Sequence, residues 1–94
     1  RVACVEAAGF GHPALAERAP YDLVFANILK GPLMSLAPEM ARSVAPGGVT
    51  ILSGILNTQA DEVLAAYRKA GFSLRARDEI GDWTTLVLSR DQSA

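Results

Sequence analysis

One short run of residues, Leu23-Val24-Phe25-Ala26, constrains the fold of this chain more than any other feature of its sequence. The run is apolar at every position instead of alternating, which is typical of a strand buried on both faces of a parallel sheet. Residues 2–6 and 49–52 are predicted to form two more strands. Because a helical pattern separates residues 23–26 from residues 49–52, the sequence predicts an α/β fold with a mostly parallel sheet and helices on its faces.

The segment that follows Gly31-Pro32 has the periodicity of an amphipathic helix. Its apolar residues recur on one helical face, and they are Leu33, Leu36, Ala37, Met40, Ala41 and Val44. Pro38 lacks the backbone N–H that a continuous helix uses, so we expect either a kink there or a second helix with Pro38 in its first turn. Pro46-Gly47-Gly48 is predicted to end the helical segment.

A second amphipathic helix is predicted after residues 49–52. Asn57 or Thr58 is expected to cap its beginning, and Gly71 is expected to follow its end. The residues predicted for its buried face are Ala60, Val63, Leu64 and Tyr67.

The last third of the chain predicts a β-hairpin. Residues 72–80 alternate between apolar and polar side chains, as in a half-buried strand, with Asp78 as an exception on the apolar side. Gly81-Asp82 is a two-residue turn signal, and residues 83–88 supply the answering antiparallel strand. We expect Trp83, at the start of that strand, to lie in the core.

Composition narrows the classes of function. The 94 residues are enough for one small domain. Nine basic and ten acidic side chains give a formal net charge of -1, so we do not expect direct binding to nucleic acid, which usually requires a basic excess. We expect neither a membrane span nor a secretory signal. With one histidine and one cysteine, no structural zinc site is expected, and the lone Cys4 fits a reducing cytoplasm.

One motif resembles a dinucleotide-binding fingerprint. Gly9, Gly11 and Ala14 match G-x-G-x-x-G/A, but these glycines begin three residues after the predicted strand. We favour a plain loop, with a dinucleotide-binding half-domain as the alternative. His12 is interpreted as a solvated loop residue, since no serine or cysteine accompanies it in a nucleophilic motif.

Asn27 is the strongest candidate functional residue. It follows residues 23–26, at the carboxyl end of a strand, which is the edge where open α/β sheets bind ligands. Its amide donates and accepts hydrogen bonds, so in apolar surroundings it needs a partner, either a ligand or the backbone of the following turn. Ser53-Gly54 ends the next predicted strand at the same edge, either as a second wall of a site or as a turn.

Several segments together resemble the bacterial ribosomal protein methyltransferase family, which modifies the eleventh protein of the large subunit. The resemblance covers residues 2–88. It rests on Tyr21-Asp22-Leu23-Val24-Phe25-Ala26-Asn27-Ile28-Leu29, Gly31-Pro32-Leu33, Leu36-Ala37-Pro38, Pro46-Gly47-Gly48, Ile51-Leu52-Ser53-Gly54-Ile55-Leu56, Gln59-Ala60 and Asp82-Trp83.

The resemblance implies the carboxyl-terminal part of a class I S-adenosylmethionine-dependent methyltransferase domain. The five predicted strands would be the third to the seventh of a Rossmann-like sheet, with the last one antiparallel. The glycine-rich cofactor loop, the ribose-binding acid and the substrate-recognition domain of the family have no counterpart in residues 1–94. The chain also opens at Arg1, directly into a strand, so we expect a piece of a longer protein that is inactive by itself.

The resemblance also implies a site and a reaction. Asn27 would be catalytic and would bind S-adenosylmethionine together with Glu6. Ile28-Leu29 and Ser53-Gly54 would line the substrate. The reaction would methylate amino groups of a ribosomal protein, on lysine side chains or the amino terminus, in the cytoplasm and without a metal.

The alternative function is a non-catalytic α/β interaction module or a decayed methyltransferase copy. An incomplete sheet would leave residues 2–5 as an open edge, and open edges pair with other chains. An edge-strand homodimer is therefore expected under this alternative.

Overall fold

The computed structural model describes residues 2–6, 20–27 and 30–92, which contain five strands and three α-helices. The strands are β1 (Val2–Glu6), β2 (Tyr21–Asn27), β3 (Val44–Leu56), β4 (Phe72–Ile80) and β5 (Trp83–Arg90). The helices are α1 (Lys30–Ser35), α2 (Ala37–Ser43) and α3 (Ala60–Lys69), and a 3-10 turn (Asn57–Gln59) precedes α3. None of the described helices has the length and apolar character needed to cross a membrane.

The strands form one sheet in the order β1-β2-β3-β5-β4. β1, β2 and β3 pair in parallel, whereas β5 runs antiparallel to both of its neighbours. This confirms the predicted α/β sheet with a closing antiparallel hairpin. The predicted two-residue turn is also confirmed, because Ile80 pairs with Trp83 across Gly81-Asp82 and Gly81 has a φ of 60°.

The helical segment after β2 is divided at Leu36. α1 ends at Ser35, α2 begins at Ala37, and Pro38 lies in the first turn of α2. A proline fits there because the first turn of a helix leaves its backbone N–H groups without intrahelical partners. Of the two predicted arrangements, the structure therefore adopts two helices.

The end of α2 differs from the prediction. The helix stops at Ser43, and Val44 is already extended, with φ -93° and ψ 129°. Val44 pairs with Tyr21, and the next pairs join Leu23 to Val49. Pro46-Gly47-Gly48 therefore belongs to an excursion within β3 and does not end the helix. The burial of Val44 explains this, because its side chain enters the core as part of the sheet.

One face of the sheet, termed the covered face, packs against the described helices. Alternate residues of β3 and β5 point into this core. The buried residues on these two strands include Thr50, Leu52, Thr84, Leu86 and Leu88. The four residues predicted for the inner side of the second helix, Ala60, Val63, Leu64 and Tyr67, are all buried, which confirms that prediction.

Tyr67 joins three elements within this core. Its hydroxyl donates a hydrogen bond to the backbone carbonyl of Leu33 in α1 at 2.9 Å. Its ring contacts Phe72 of β4, with 5.5 Å between the ring centroids. Burial raises the pKa of Tyr67 well above its ordinary value, because the phenolate would lose its hydration. Tyr67 therefore acts as a neutral hydrogen-bond donor.

The opposite face, termed the open face, carries exposed apolar residues. Cys4, Phe25, Ile51 and Val87 occupy one row across β1, β2, β3 and β5. Phe25 is 43% exposed, whereas Val24 and Ala26 beside it are buried. The expectation that residues 23–26 are buried on both faces is therefore wrong at Phe25, because the three described helices all pack on the covered face.

A β-bulge in β4 changes which residues face the core. Leu74 pairs with Leu88 but Ala76 pairs with Val87, so Arg75 is an extra residue on β4. Because side chains alternate along a strand, one extra residue moves every later side chain to the other face. The alternation predicted for residues 72–80 is therefore wrong beyond Leu74.

The consequences of this bulge are visible at the end of β4. Ile80, predicted on the apolar side, is 75% exposed. Arg77 instead turns toward α3 and pairs with Asp61 at 2.8 Å and with Glu79 at 3.0 Å. Its hydrogen bond to Asp61 is the main cause that raises the pKa of Arg77.

The predicted cap of α3 is also wrong. No side chain caps the helix at Gln59, which instead accepts a hydrogen bond from the backbone N–H of Leu56 at 3.2 Å. Asn57 donates to the carbonyl of Gly81 at 2.9 Å and accepts from Thr84 Oγ1 at 2.6 Å. The side-chain amide of Asn57 therefore attaches the 3-10 turn to the β4–β5 hairpin. Gly71 follows α3 as predicted, with a φ of 107°.

Candidate functional site

Three neighbouring strands place their candidate residues in one row at the carboxyl edge of the sheet. In the parallel register, Glu6 stands opposite Asn27, and Asn27 stands opposite Ser53. The backbone thus brings together three positions that lie 21 and 26 residues apart in sequence. This is the edge at which open α/β sheets bind ligands.

Asn27 ends β2 and is exposed there. It follows the buried Ala26 and lies on the open face with Phe25. Its amide makes no hydrogen bond to any residue within the described ranges, in contrast to Asn57, which is bonded on both sides. The donor and the acceptor of this amide are therefore available at the edge of the sheet.

Ser53-Gly54 forms a bulge and does not end the strand. Leu52 pairs with Leu86 and Ile55 pairs with Thr84, so β3 has one more residue than β5 between these pairs. Gly54 accommodates the bulge with a φ of 79°, a conformation that disfavours other residues. The expectation that the strand ends here is wrong, because β3 continues to Leu56 along β5. Ser53 and Gly54 are both half-buried. Ser53 lies opposite Asn27, the last residue of β2, and Gly54 extends the edge one residue further.

Trp83 is 55% exposed, so the prediction that it lies in the core is wrong. It pairs with Leu56 on one side and with Ile80 on the other, and these three side chains form an exposed apolar row, termed the hairpin row. The sequence did contain a signal for this arrangement. Leu88, Leu86 and Thr84 alternate on the covered face, and continuing the period of two places Trp83 on the open face.

Acidic residues flank the hairpin row. Asp78 pairs with Thr85 two positions before Ile80, and Asp82 lies in the turn. Both are exposed, and neither forms an ion pair with the residues that the structure describes. The hairpin end of the sheet therefore combines apolar area with negative charge.

The remaining sequence candidates lie outside the described residues. They are Ile28 and Leu29, proposed for the wall of the site, and Gly9, Gly11, His12 and Ala14 of the motif near the beginning of the chain.

Known proteins match almost the entire chain. A family profile described as ribosomal protein L11 methyltransferase (PrmA) matches residues 6–91. A ribosomal protein L11 methyltransferase of Caulobacter sp. (strain K31) is 50% identical over 86 residues, which are 92% of this chain and 30% of that protein. The chain thus spans less than a third of the length of this curated relative.

Solved structures agree with this match. The ribosomal protein L11 methylase of Lactobacillus delbrueckii subsp. bulgaricus superposes with a TM-score of 0.73 at 30% identity, over 78% of this chain and 38% of that one. A 16S rRNA methyltransferase (RsmC) of T. Thermophilus, solved with AdoMet and guanosine, shares the fold with a TM-score of 0.55 at 20% identity, over 81% of this chain and 22% of that one. With a family profile that spans residues 6–91 and a relative at 50% identity, the chain belongs to the ribosomal protein L11 methyltransferase (PrmA) family.

Proposed function

We propose that this chain is the carboxyl-terminal part of the catalytic domain of a methyltransferase that modifies amino groups of ribosomal protein L11. The methyl donor would be S-adenosylmethionine, and the reaction would take place in the cytoplasm, where ribosomes act. The observation that carries the proposal is the row of Glu6, Asn27 and Ser53 at the carboxyl edge of the sheet, in a chain of this family.

The residues at this edge fit a polar cofactor. Asn27 offers an amide that makes no hydrogen bond to the described residues, and Ser53 offers a half-buried hydroxyl, so both can hydrogen-bond a bound molecule. We propose that Asn27 and Glu6 hold S-adenosylmethionine and that Ser53-Gly54, with Ile28-Leu29, line the substrate. When bound, the cofactor supplies an electrophilic methyl group.

Asn27 is proposed to position the substrate amine. The amide oxygen would accept a hydrogen bond from the amine N–H, which fixes the direction of the nitrogen lone pair. Only the neutral amine has that lone pair, and a lysine with an ordinary pKa of about 10.4 must first lose a proton. The neutral amide of Asn27 stabilises the ammonium ion less than a carboxylate would, so it opposes the loss of that proton less.

The hairpin row is proposed to bind the polypeptide that carries this amine. Trp83, Ile80 and Leu56 offer exposed apolar area on the same face and at the same end of the sheet as Asn27. Asp78 and Asp82 beside them would attract a basic segment. A lysine-bearing segment of a ribosomal protein has this combination of charge and apolar contact.

The test is Asn27→Ala in the intact protein, with methyl transfer to purified L11 as the readout. We expect a loss of about 2–4 kcal/mol of transition-state stabilisation, which is about 30- to 900-fold in rate. The free energy of unfolding should change little, because the amide is exposed and has no bonded partner among the described residues.

Asn57→Ala is the matched control. It removes an amide that bonds the hairpin, so it should lower stability by about 1–2 kcal/mol while leaving the rate within a few-fold of the original. If Asn27→Ala retained a rate within a few-fold of the original protein, Asn27 would have no positioning role.

A non-catalytic interaction module remains the second candidate, and one observation favours it. β1 lies at an edge of the described sheet, and Val2 on it is 64% exposed. We propose that a chain limited to these residues would pair with a second copy along β1. Sedimentation velocity would detect the dimer, and a monomer at high concentration would rule it out.

A further inference from the structure

The row of Glu6, Asn27 and Ser53 continues across the other two strands of the sheet. Thr85 of β5 stands opposite the Ser53-Gly54 bulge of β3. Asp78 of β4 in turn pairs with Thr85. Polar residues therefore occupy one line across all five strands, here termed the polar row.

The polar row lies on the open face from β2 to β4. Asn27 and Asp78 are exposed there, and Ser53 and Thr85 are half-buried. Thr85 lies between two buried residues of β5, so the period of two along a strand directs its side chain away from the core. Because residues directly opposite each other in an antiparallel pair share a face, Asp78 lies on the open face with Thr85.

The two new members of the row differ from their neighbours in having no partner among the described residues. Asp78 forms no ion pair there, whereas Glu79 beside it pairs with Arg77 at 3.0 Å. Thr85 makes no side-chain hydrogen bond there, whereas Thr84 beside it donates to an amide oxygen at 2.6 Å. The carboxylate of Asp78 and the hydroxyl of Thr85 are therefore available to a bound molecule.

Apolar residues border the polar row on both sides. The hairpin row lies on the side of the β4–β5 turn. The row on the other side consists of Cys4, Phe25, Ile51, Val87 and Ala76. A charged or polar group of a bound molecule that moved sideways from the polar row would lose its hydrogen-bond partners over apolar side chains. The polar contacts of a bound molecule are therefore confined to this line.

The sheet fixes the distance between the two ends of the line that concern a substrate. Asn27 on β2 and Asp78 on β4 are separated by three strand spacings, which is roughly 14 Å at about 4.8 Å per spacing. An extended polypeptide rises about 3.4 Å per residue, so about four residues cover this distance. Side chains alternate along such a polypeptide, so two residues that are four apart face the same side.

We propose that Asp78 selects the amine to be methylated, because it pairs with a basic side chain four residues away from the target lysine. The proposal rests on the proposed function, in which Asn27 positions that lysine. The substrate segment lies extended along the polar row, across β3, β5 and β4, and the hydroxyl of Thr85 contacts it between its two anchored side chains. Glu6 lies on the other side of Asn27, so the cofactor and the polypeptide reach Asn27 from opposite directions.

The test uses the intact protein and a series of peptides, each with one lysine and one arginine in an uncharged background. The arginine stands three, four or seven residues from the lysine, on either side of it. We expect kcat/KM for methyl transfer to be about threefold higher at a spacing of four, in one of the two directions, as one exposed ion pair would produce. Asp78→Asn should abolish this preference. Asp82→Asn, which removes an exposed carboxylate in the turn outside the polar row, should retain it.

A reversal of charge tests the same pair from the other side. Asp78→Lys should prefer peptides with glutamate, in place of arginine, four residues from the lysine. Each preference is a ratio measured within one variant, so a general loss of activity does not imitate it. A preference that does not depend on spacing, or that survives Asp78→Asn, would overturn the proposal.

Peptide binding, measured by fluorescence anisotropy, separates this proposal from the proposed function. A spacing preference in binding without methyl transfer would support the role of Asp78 and contradict the methyltransferase site. Methyl transfer with equal kcat/KM at all spacings would leave the methyltransferase site standing and overturn the role of Asp78. If the peptides neither bind nor become methylated, both proposals are wrong.

Discussion

The apolar residues on the two faces of the sheet differ in how deeply they are buried. On the covered face, Leu52, Leu86 and Leu88 are completely buried beneath the helices. On the open face of the same sheet, Phe25 is 43% exposed, and Trp83, which shares β5 with Leu86 and Leu88, is 55% exposed. Apolar character by itself therefore does not indicate the core. What decides burial is whether a helix of the chain returns to the face on which the residue lies.

The largest expected difference between the faces is at neighbouring residues of β5. Leu86→Ala should lower the free energy of unfolding by about 2–5 kcal/mol, because it removes buried methyl groups and leaves a cavity. Val87→Ala, at the half-buried position next to it on the open face, should cost less than half as much. Urea denaturation of the two variants measures the contrast. Equal losses would show that the open face is as tightly packed as the covered face.

A smaller effect is expected from the hydroxyl of Tyr67. Tyr67→Phe leaves the buried carbonyl of Leu33 without its partner and should cost about 1–3 kcal/mol. Ser35→Ala is the control, since its hydroxyl also donates to a carbonyl of α1, that of Gly31, but is exposed to water. We expect its removal to cost less than about 0.5 kcal/mol. Thermal unfolding measures both losses of stability. Equal losses in the two variants would contradict the role assigned to burial.

The smallest change in stability is expected on the open face. Trp83→Ala should lower the free energy of unfolding by no more than about 1 kcal/mol, because more than half of the side chain is exposed. If the proposed function is correct, the same substitution in the intact protein should raise the KM for L11 and leave the KM for S-adenosylmethionine unchanged. The native fluorescence of this single tryptophan should be readily quenched by acrylamide. A stability loss above about 3 kcal/mol would show that Trp83 lies in the core, as the sequence predicted.

Much of the covered face could be predicted from the sequence because local periodicity and packing agree there. The buried side of α3 followed from helix spacing. The backbone chemistry of Pro38 predicted either a kink or the first turn of a second helix, and the structure has the second arrangement. The turn at Gly81-Asp82 could be predicted because a tight hairpin turn requires a residue such as glycine. At these positions a short segment contains all the information that determines its structure.

The open face and the hairpin depended on long-range register, which a local pattern does not contain. The Arg75 bulge reverses the second half of β4, and the Gly54 bulge carries β3 past the point where the strand was expected to end. Asn57 was predicted as a cap but bonds the hairpin, 24 residues away along the chain. Asn27 and Ser53 were expected at one edge of the sheet, and Glu6 was assigned to the cofactor only through the family resemblance. Only the observed strand pairing shows that the three residues form one row.

The Arg75 bulge makes the outer half of β4 tolerant of the loss of one codon. Without Arg75, Ala76 would follow Leu74 directly, and regular alternation would place Ala76, Asp78 and Ile80 on the open face, where they already lie. Arg77 would therefore keep its place beside Asp61. The loss of one residue from a regular strand, by contrast, moves every later side chain to the other face. A deletion at position 75 should therefore be tolerated far better than a deletion in the middle of β5.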